Sequence, residues 1–226
     1  LITVTAAGLS AGRGSETVVP PQDFTVSSGE ALVVTGKNGI GKSTLLRTIA
    51  GLLPAMGGAI SVDGALTPEG EPAEHVSEIA HYLGHRHAMK ASVTVRGNLA
   101  FWQSFLGGVR HTAEEALEAV DLSHVLDLPF GYLSAGQQRR AAMARLLVVE
   151  RPLWILDEPT SALDVHAQAR FAVLMTAHRA KGGLIIAATH HALGLEDARS
   201  LHLERDATPA FHGFTEEDLA AEEGWS

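Results

Sequence analysis

Gly36-Lys37-Asn38-Gly39-Ile40-Gly41-Lys42-Ser43, followed at once by Thr44-Leu45-Leu46-Arg47-Thr48-Ile49-Ala50, fits the pattern G-x-x-x-x-G-K-S/T. Each fixed position has a physical task in holding a nucleotide's phosphates. Gly36, Gly39 and Gly41 let the backbone turn tightly and bring its N–H groups toward an anion without Cβ clashes. Lys42 can then reach the β- and γ-phosphate oxygens, and the Ser43 hydroxyl can ligate a bridging Mg²⁺. The flanks agree with this reading. Ala31-Leu32-Val33-Val34-Thr35 is a short apolar β-run and Ser43 to Ala50 reads as a helix, so strand, loop and helix come in the required order. The helix start adds unpaired N–H groups and a positive dipole end at the phosphate position.

Outward from that stretch, strand and helix patterns alternate. Leu1 to Leu9 reads as a strand, and Thr17 to Val19 and Phe24 to Val26 as two further short ones, with Pro20-Pro21 keeping that segment from being central. Strands are also expected over Ala59 to Asp63, Val76 to Leu83, Leu153 to Leu156 and Leu184 to Thr189, with an edge strand at Arg199 to Leu203. Helical spacing covers Thr94 to Leu106, Thr112 to Val120, Gly136 to Val149 and Ala162 to Ala180. Residues 86–150 therefore look like a helical subdomain inserted into an α/β domain whose sheet is largely parallel and covered on both faces. One domain over residues 1–226 is expected, ending in an acidic tail at 206–226.

The composition narrows the function. With 46% hydrophobic and 19% charged residues, the 226-residue chain can bury a real core. The formal net charge is −9, and five of those charges belong to Glu216, Glu217, Asp218, Glu222 and Glu223. Neither this charge nor the −4 left without those acids suggests nucleic acid as partner, which calls for a basic face; local basic patches stay open. Cysteine is absent, which excludes disulfides and thiol chemistry. No run approaches the ~20 apolar residues of a membrane span and no signal-peptide order opens the chain, so a soluble, cytoplasmic protein is expected. The sequence starts at Leu1 rather than Met, as a processed or trimmed chain would.

A phosphate loop calls for a group on the far side of the metal and one to orient the attacking water. Asp157 and Glu158 end the apolar run Leu153 to Leu156, where open α/β sheets present ligands. Asp157 would take the Mg²⁺ side and Glu158 would accept a hydrogen bond from the water. Ser134 and Gln137 make an S-x-x-Q capping box before the helix at Gln138; with the permissive Gly136 the same turn is also an anion site.

The order of Gly36 to Ser43, Leu133 to Gln137, Asp157-Glu158, Ser161-Ala162-Leu163-Asp164 and His190 resembles the ATP-binding cassette family over residues 1–205. The resemblance implies a P-loop ATPase core with an N-terminal antiparallel β portion and the inserted helical subdomain. It implies ATP and Mg²⁺ as ligands, and a head-to-tail homodimer with each ATP held between the P-loop of one copy and Ser134, Gly136 and Gln137 of the other. By the same resemblance His190 contacts the γ-phosphate and Asp164 lines the dimer seam, although Ser161 and Asp164 also read as a plain S-x-x-D helix start. Three positions depart from the pattern. His85 stands where the family usually has Gln, Ala135 replaces a glycine, and the adenine-stacking aromatic is missing, with Arg13 near its position as a cation able to stack on a purine.

Within the family, His81 to His85, Asn98 to Phe105, Gly131 to Gln137 and Ala187 to His190 look like the ATP-binding subunits of bacterial haem exporters in c-type cytochrome biogenesis. That likeness implies transmembrane partner subunits, a periplasmic haem chaperone reached indirectly, and a peripheral place on the cytoplasmic face of the inner membrane. The alternatives are a soluble ATPase of a cytosolic assembly system such as iron–sulfur cluster biogenesis, or a regulatory nucleotide-binding module without useful turnover. Phe101, Trp102 and Phe105 read either as a small core of the helical block or as a groove for a membrane subunit's helix, with Trp102 inward and Phe101 outward. His75, His81, His85 and His87 would suit a metal or haem only if the strand ran on past Gly84.

Overall fold

The computed structural model describes residues 1–190, 193–195 and 197–204, so the acidic tail at 206–226 lies outside the described residues. In chain order the elements are β1 (Thr3–Arg13), β2 (Glu16–Ser27), β3 (Ala31–Thr35), α1 (Lys42–Ile49), β4 (Gly57–Asp63), α2 (Val76–Ile79), β5 (Ala80–Leu83) and α3 (Val95–Leu106). There follow α4 (Ala113–Ala119), α5 (Ala135–Val148), β6 (Leu153–Asp157), α6 (Val165–Ala180), β7 (Leu184–Ala188) and β8 (Arg199–His202). The strands form a three-stranded antiparallel sheet, β2-β1-β4, and a five-stranded parallel sheet, β5-β6-β7-β3-β8.

The parallel strands read as unbroken apolar runs because both faces are covered. Trp154 and Leu156 of β6, with Ile185 and Ala187 of β7, join the core that includes α5 and α6. Leu153, Ile155, Leu184, Ile186 and Ala188 join a second core with α1 and the antiparallel sheet. This parallel packing brings the carboxyl ends of β3, β6 and β7 together, where Asp157 closes β6 and the loops after β3 and β7 carry Gly36 and His190.

Four expectations are corrected. The two short strands at Thr17 to Val19 and Phe24 to Val26 are one continuous edge strand, β2; between Gln22 and Val19 it uses one more residue than β1 does opposite, at Pro20-Pro21. An edge position tolerates the missing proline N–H groups. The strand expected over Val76 to Leu83 starts only at Ala80. Glu78 accepts from the backbone N–H groups of Glu74 (2.8 Å) and His75 (2.9 Å), which winds the preceding residues into the turn of α2.

The helix expected from Ala162 begins at Val165. Ala162 has φ 63°, and Asp164 is the cap, its Oδ1 accepting from Ala167 N at 2.7 Å. Ser161 instead donates to Glu158 O at 2.9 Å, so the S-x-x-D reading fails. Finally, the helical block does not close on an aromatic core. Phe101 and Phe105 are 53% and 67% exposed and stack on one another, while Val95, Leu99, Leu117, Leu122 and Met143 fill the interior. The buried stripe of α3 runs through positions 95 and 99, which turns 101 and 105 outward. Trp102 is half-buried, donating to Ala88 O (3.0 Å) under the Arg145 guanidinium.

Candidate nucleotide site

The loop between β3 and α1 takes its shape from glycine. Gly36 (φ 139°), Gly39 (φ 77°) and Gly41 (φ 113°) all lie in the left-handed range. At Gly41 a Cβ would also meet Val19 Cγ2 at 2.5 Å, so neither conformation nor space admits a side chain. Gly41 caps α1 with no side-chain hydrogen bond, and the first turn holds no acid. The orphan N–H groups of this helix start are left for a ligand.

Lys42 is folded back over the loop, donating to Gly36 O (2.8 Å) and Lys37 O (3.1 Å) and lying 2.9 Å from His190 Nε2. Facing an ammonium, that ring nitrogen acts as the acceptor. His190 also lies 3.7 Å from Glu158 Oε1. Ser43 Oγ donates to Asp157 Oδ1 at 2.9 Å. The Asp157 carboxylate is 1% exposed, and its other oxygen accepts from Tyr82 OH at 3.1 Å. Tyr82 in turn receives Arg47 Nε at 3.3 Å. Burial holds the Tyr82 hydroxyl above its ordinary pKa, so it stays a donor toward the carboxylate.

Lys42, Ser43, Thr44, Asp157, Glu158 and His190 line one open cavity of about 740 Å³, together with Asn38, Gly39, Gly41, Ser161, Arg13 and His85. His85 is more than half exposed and stands 3.9 Å from Asp157. Arg13 is exposed at the same cavity, beside Glu16 and Val18. Lys37 and Ile40 turn to a neighbouring cavity shared with His202 and Leu203. Ser134, Gly136 and Gln137 do not line the Lys42 cavity. Ser134 and Gln137 form a reciprocal cap at the start of α5, Ser134 N to Gln137 Oε1 at 2.9 Å and Gln137 N to Ser134 Oγ at 3.3 Å. The turn is a satisfied capping box and keeps the geometry of an anion site.

The histidines weighed as metal ligands, His75, His81, His85 and His87, do not converge. His81 is 2% exposed with Nε2 donating to Val149 O (3.0 Å), and burial pushes its pKa down to about 3. His87 stands edge-on to Phe130, and His75 precedes α2. Among the described residues no group of three or more His, Asp or Glu could hold a metal ion. Two residues that sequence reasoning gave no role stand close to the site: Tyr82, a polar group in a short buried strand, and Arg139, a buried cation in the first turns of α5.

Residues 20–161 match the family model described as ABC transporter. The cytochrome c biogenesis ATP-binding export protein CcmA of Rhizobium meliloti (strain 1021) is 54% identical over 202 residues, 88% of this chain and 96% of that one. The protein of the same name from Rhodopseudomonas palustris (strain HaA2) is 55% identical over 188 residues, 83% and 92% of the two chains. Among solved structures, an ATP-binding subunit of an ABC transporter matches with a TM-score of 0.75 at 24% identity, over 89% of this chain and 85% of that one. A bacterial Atm1-family ABC exporter with ATP bound gives 0.73 at 21% identity over 89% of this chain and 37% of its own, a likeness of fold alone.

Proposed function

The chain belongs to the ABC transporter family, and on that footing we propose that it is the ATP-hydrolysing subunit of an exporter serving cytochrome c biogenesis, with haem or the release of a haem-loaded chaperone as the coupled event. The observation that carries this reading is the gathering of Lys42, Ser43, Asp157, Glu158 and His190 about one cavity at an uncapped helix start. The export proteins named among the relatives speak against the cytosolic assembly alternative.

In this reading the β- and γ-phosphates of ATP sit on the α1 start and on Lys42, which exchanges its loop carbonyls for phosphate oxygens. His190 meets the γ-phosphate, and Glu158 accepts a proton from the attacking water. Arg13 offers its guanidinium plane to the adenine and His85 a water-reaching ring beside Asp157. The oxygen donors Ser43 and Asp157, 2.9 Å apart, suit a hard cation and would hold Mg²⁺, which supplies charge neutralisation on the phosphates. Ser134, Gly136 and Gln137 would complete the site of a second copy in a head-to-tail dimer.

The membrane partner would dock in the groove of about 650 Å³ between α1 and α3, whose lining includes Leu52, Trp102 and Phe105 with Arg47, Arg86 and Arg145 and no carboxylate. Exposed large apolar side chains beside cations suit an amphipathic helix. This supports a peripheral place on the cytoplasmic face of the inner membrane; among the described residues no helix is long and apolar enough to cross one.

A Glu158→Gln variant tests the proposal. It is expected to bind ATP as the native chain does, to lose turnover, and to be captured with ATP from detergent-solubilised membranes together with small haem-handling membrane subunits. Unchanged turnover would remove Glu158 from its role. Recovery of cytosolic proteins alone would replace export with assembly.

A further inference from the structure

We infer that Arg139 is a positioning residue for ATP hydrolysis, holding the backbone that presents Glu158 and His85 and tying both to the helix that starts at Ser134. The inference rests on the hydrolytic reading above. Arg139 lies in α5, is 2% exposed, and spends its whole guanidinium on main-chain oxygens. Nη1 donates to Gly84 O (2.7 Å), Nη2 to Asp157 O (3.1 Å) and Glu158 O (2.7 Å), and Nε to Pro159 O (3.0 Å). Four carbonyls, one from the loop after β5 and three from the end of β6 and the loop that follows it, thus converge on a single planar fork.

The clamp falls where the backbone is strained. Glu158 has φ 47°, a left-handed conformation that non-glycine residues persist in only when their surroundings hold them. Its N–H is tied to Ala188 O (2.8 Å), and its carbonyl accepts from both Arg139 and Ser161 Oγ. The Glu158 side chain is therefore aimed from β7 on one side and α5 on the other. Gly84 immediately precedes His85, so the same guanidinium also sets the other loop that reaches Asp157. Only arginine carries enough donors in a rigid fork for this; a lysine at the position offers three from one point. Burial lowers the Arg139 pKa, and the Asp157 and Glu158 carboxylates oppose that shift. Arg139 touches no substrate position. It acts through Glu158 and His85, at a distance of a turn and a half from the Ser134 cap that faces the second copy's nucleotide in the proposed dimer.

The test is steady-state ATP hydrolysis by full-length Arg139→Lys and Arg139→Gln chains, beside the native chain and Glu158→Gln, with the folded fraction counted by ATP-binding stoichiometry. Both Arg139 variants are expected to lose kcat on the order of tenfold to a hundredfold, as misplaced catalytic groups do, while the KM for ATP stays within about twofold. A native kcat in either variant overturns the inference and leaves the reading of Glu158 standing. A rise in KM that accounts for the loss, or failure of both variants to fold, assigns Arg139 to the core instead and overturns it as well. A native chain with no more turnover than Glu158→Gln sinks the hydrolytic reading and this inference together.

Discussion

Two helix starts carry Lys42, Ser43, Ser134 and Gln137 of the proposed reaction, and they are built in opposite ways. At α1 the cap is Gly41 in a left-handed conformation, with no side-chain hydrogen bond and no acid in the first turn. At α5 the cap is Ser134, closed reciprocally with Gln137 and standing exposed. An uncapped helix start lined by Lys42 is incomplete without an anion, whereas a boxed one is already satisfied. On the proposed reading the difference teaches that the first end would bind and the second would wait: ATP would complete α1, and α5 would meet a nucleotide only when another surface brought one.

The largest effect that could break this contrast is at Lys42. In Lys42→Ala, ATP with Mg²⁺ is expected to lose its hold entirely and hydrolysis to fall to background. A ligand at a hundred times its Kd stabilises by about 2.7 kcal/mol, or roughly 5–10 °C in a domain of this size. Native protein should show that upshift in thermal unfolding and Lys42→Ala none. An equal upshift in the variant would mean that α1 is not where the phosphates sit.

The α1 end was readable in the sequence because its determinants are local. Gly36, Gly39, Gly41, Lys42 and Ser43 fall within eight residues, and Asp157-Glu158 sits at the end of its own apolar run. What was not readable depends on contacts far apart along the chain. Tyr82 meets Asp157 across 75 positions and Arg139 meets Gly84 across 55, and neither leaves a periodic trace. The start of α6 was misplaced because the left-handed Ala162 has no local signature, whereas Ser161 and Asp164 imitate one. For Phe101, Trp102 and Phe105 size alone left a core and a groove both open; the buried stripe through Val95 and Leu99 turns Phe101 and Phe105 out, Phe101 as expected.

Acid should act on the segment between α5 and β6, where two buried histidines dock. His81 donates Nε2–H to Val149 O just after α5, and His178 donates to Pro152 O just before β6, 3.0 Å in each case. Burial drives their pKa values down to about 3 and about 4. Both lie below the unfolded value of about 6.5, so on acidification the unfolded chain takes up protons first. Their contribution is present above pH 6.5 and is lost as pH falls toward those values, on the order of 1–2 kcal/mol each between pH 6.5 and 5. Denaturant midpoints across that range should fall with pH, and the fall should be shallower in His81→Gln. A slope identical to the native one would remove His81 from the acid response.

The smallest effect sharpens the contrast most, because Ser134→Ala separates stability, binding and turnover. Losing the cap costs about 1 kcal/mol of stability, the amount typical of a serine N-cap. The ATP-induced upshift should remain native in size, since Ser134 does not line the cavity that holds Lys42. Hydrolysis should nevertheless fall, because in the proposed dimer each nucleotide is completed by the other copy's Ser134. Mixing Ser134→Ala with Lys42→Ala then gives an asymmetric pair in which one composite site lacks both residues and the other keeps both. Turnover on mixing that exceeds what either chain shows alone would place the α5 start opposite a second copy's α1 start. No recovery, with ATP binding weakened in Ser134→Ala itself, would put both helix starts on the same nucleotide and erase the distinction between them.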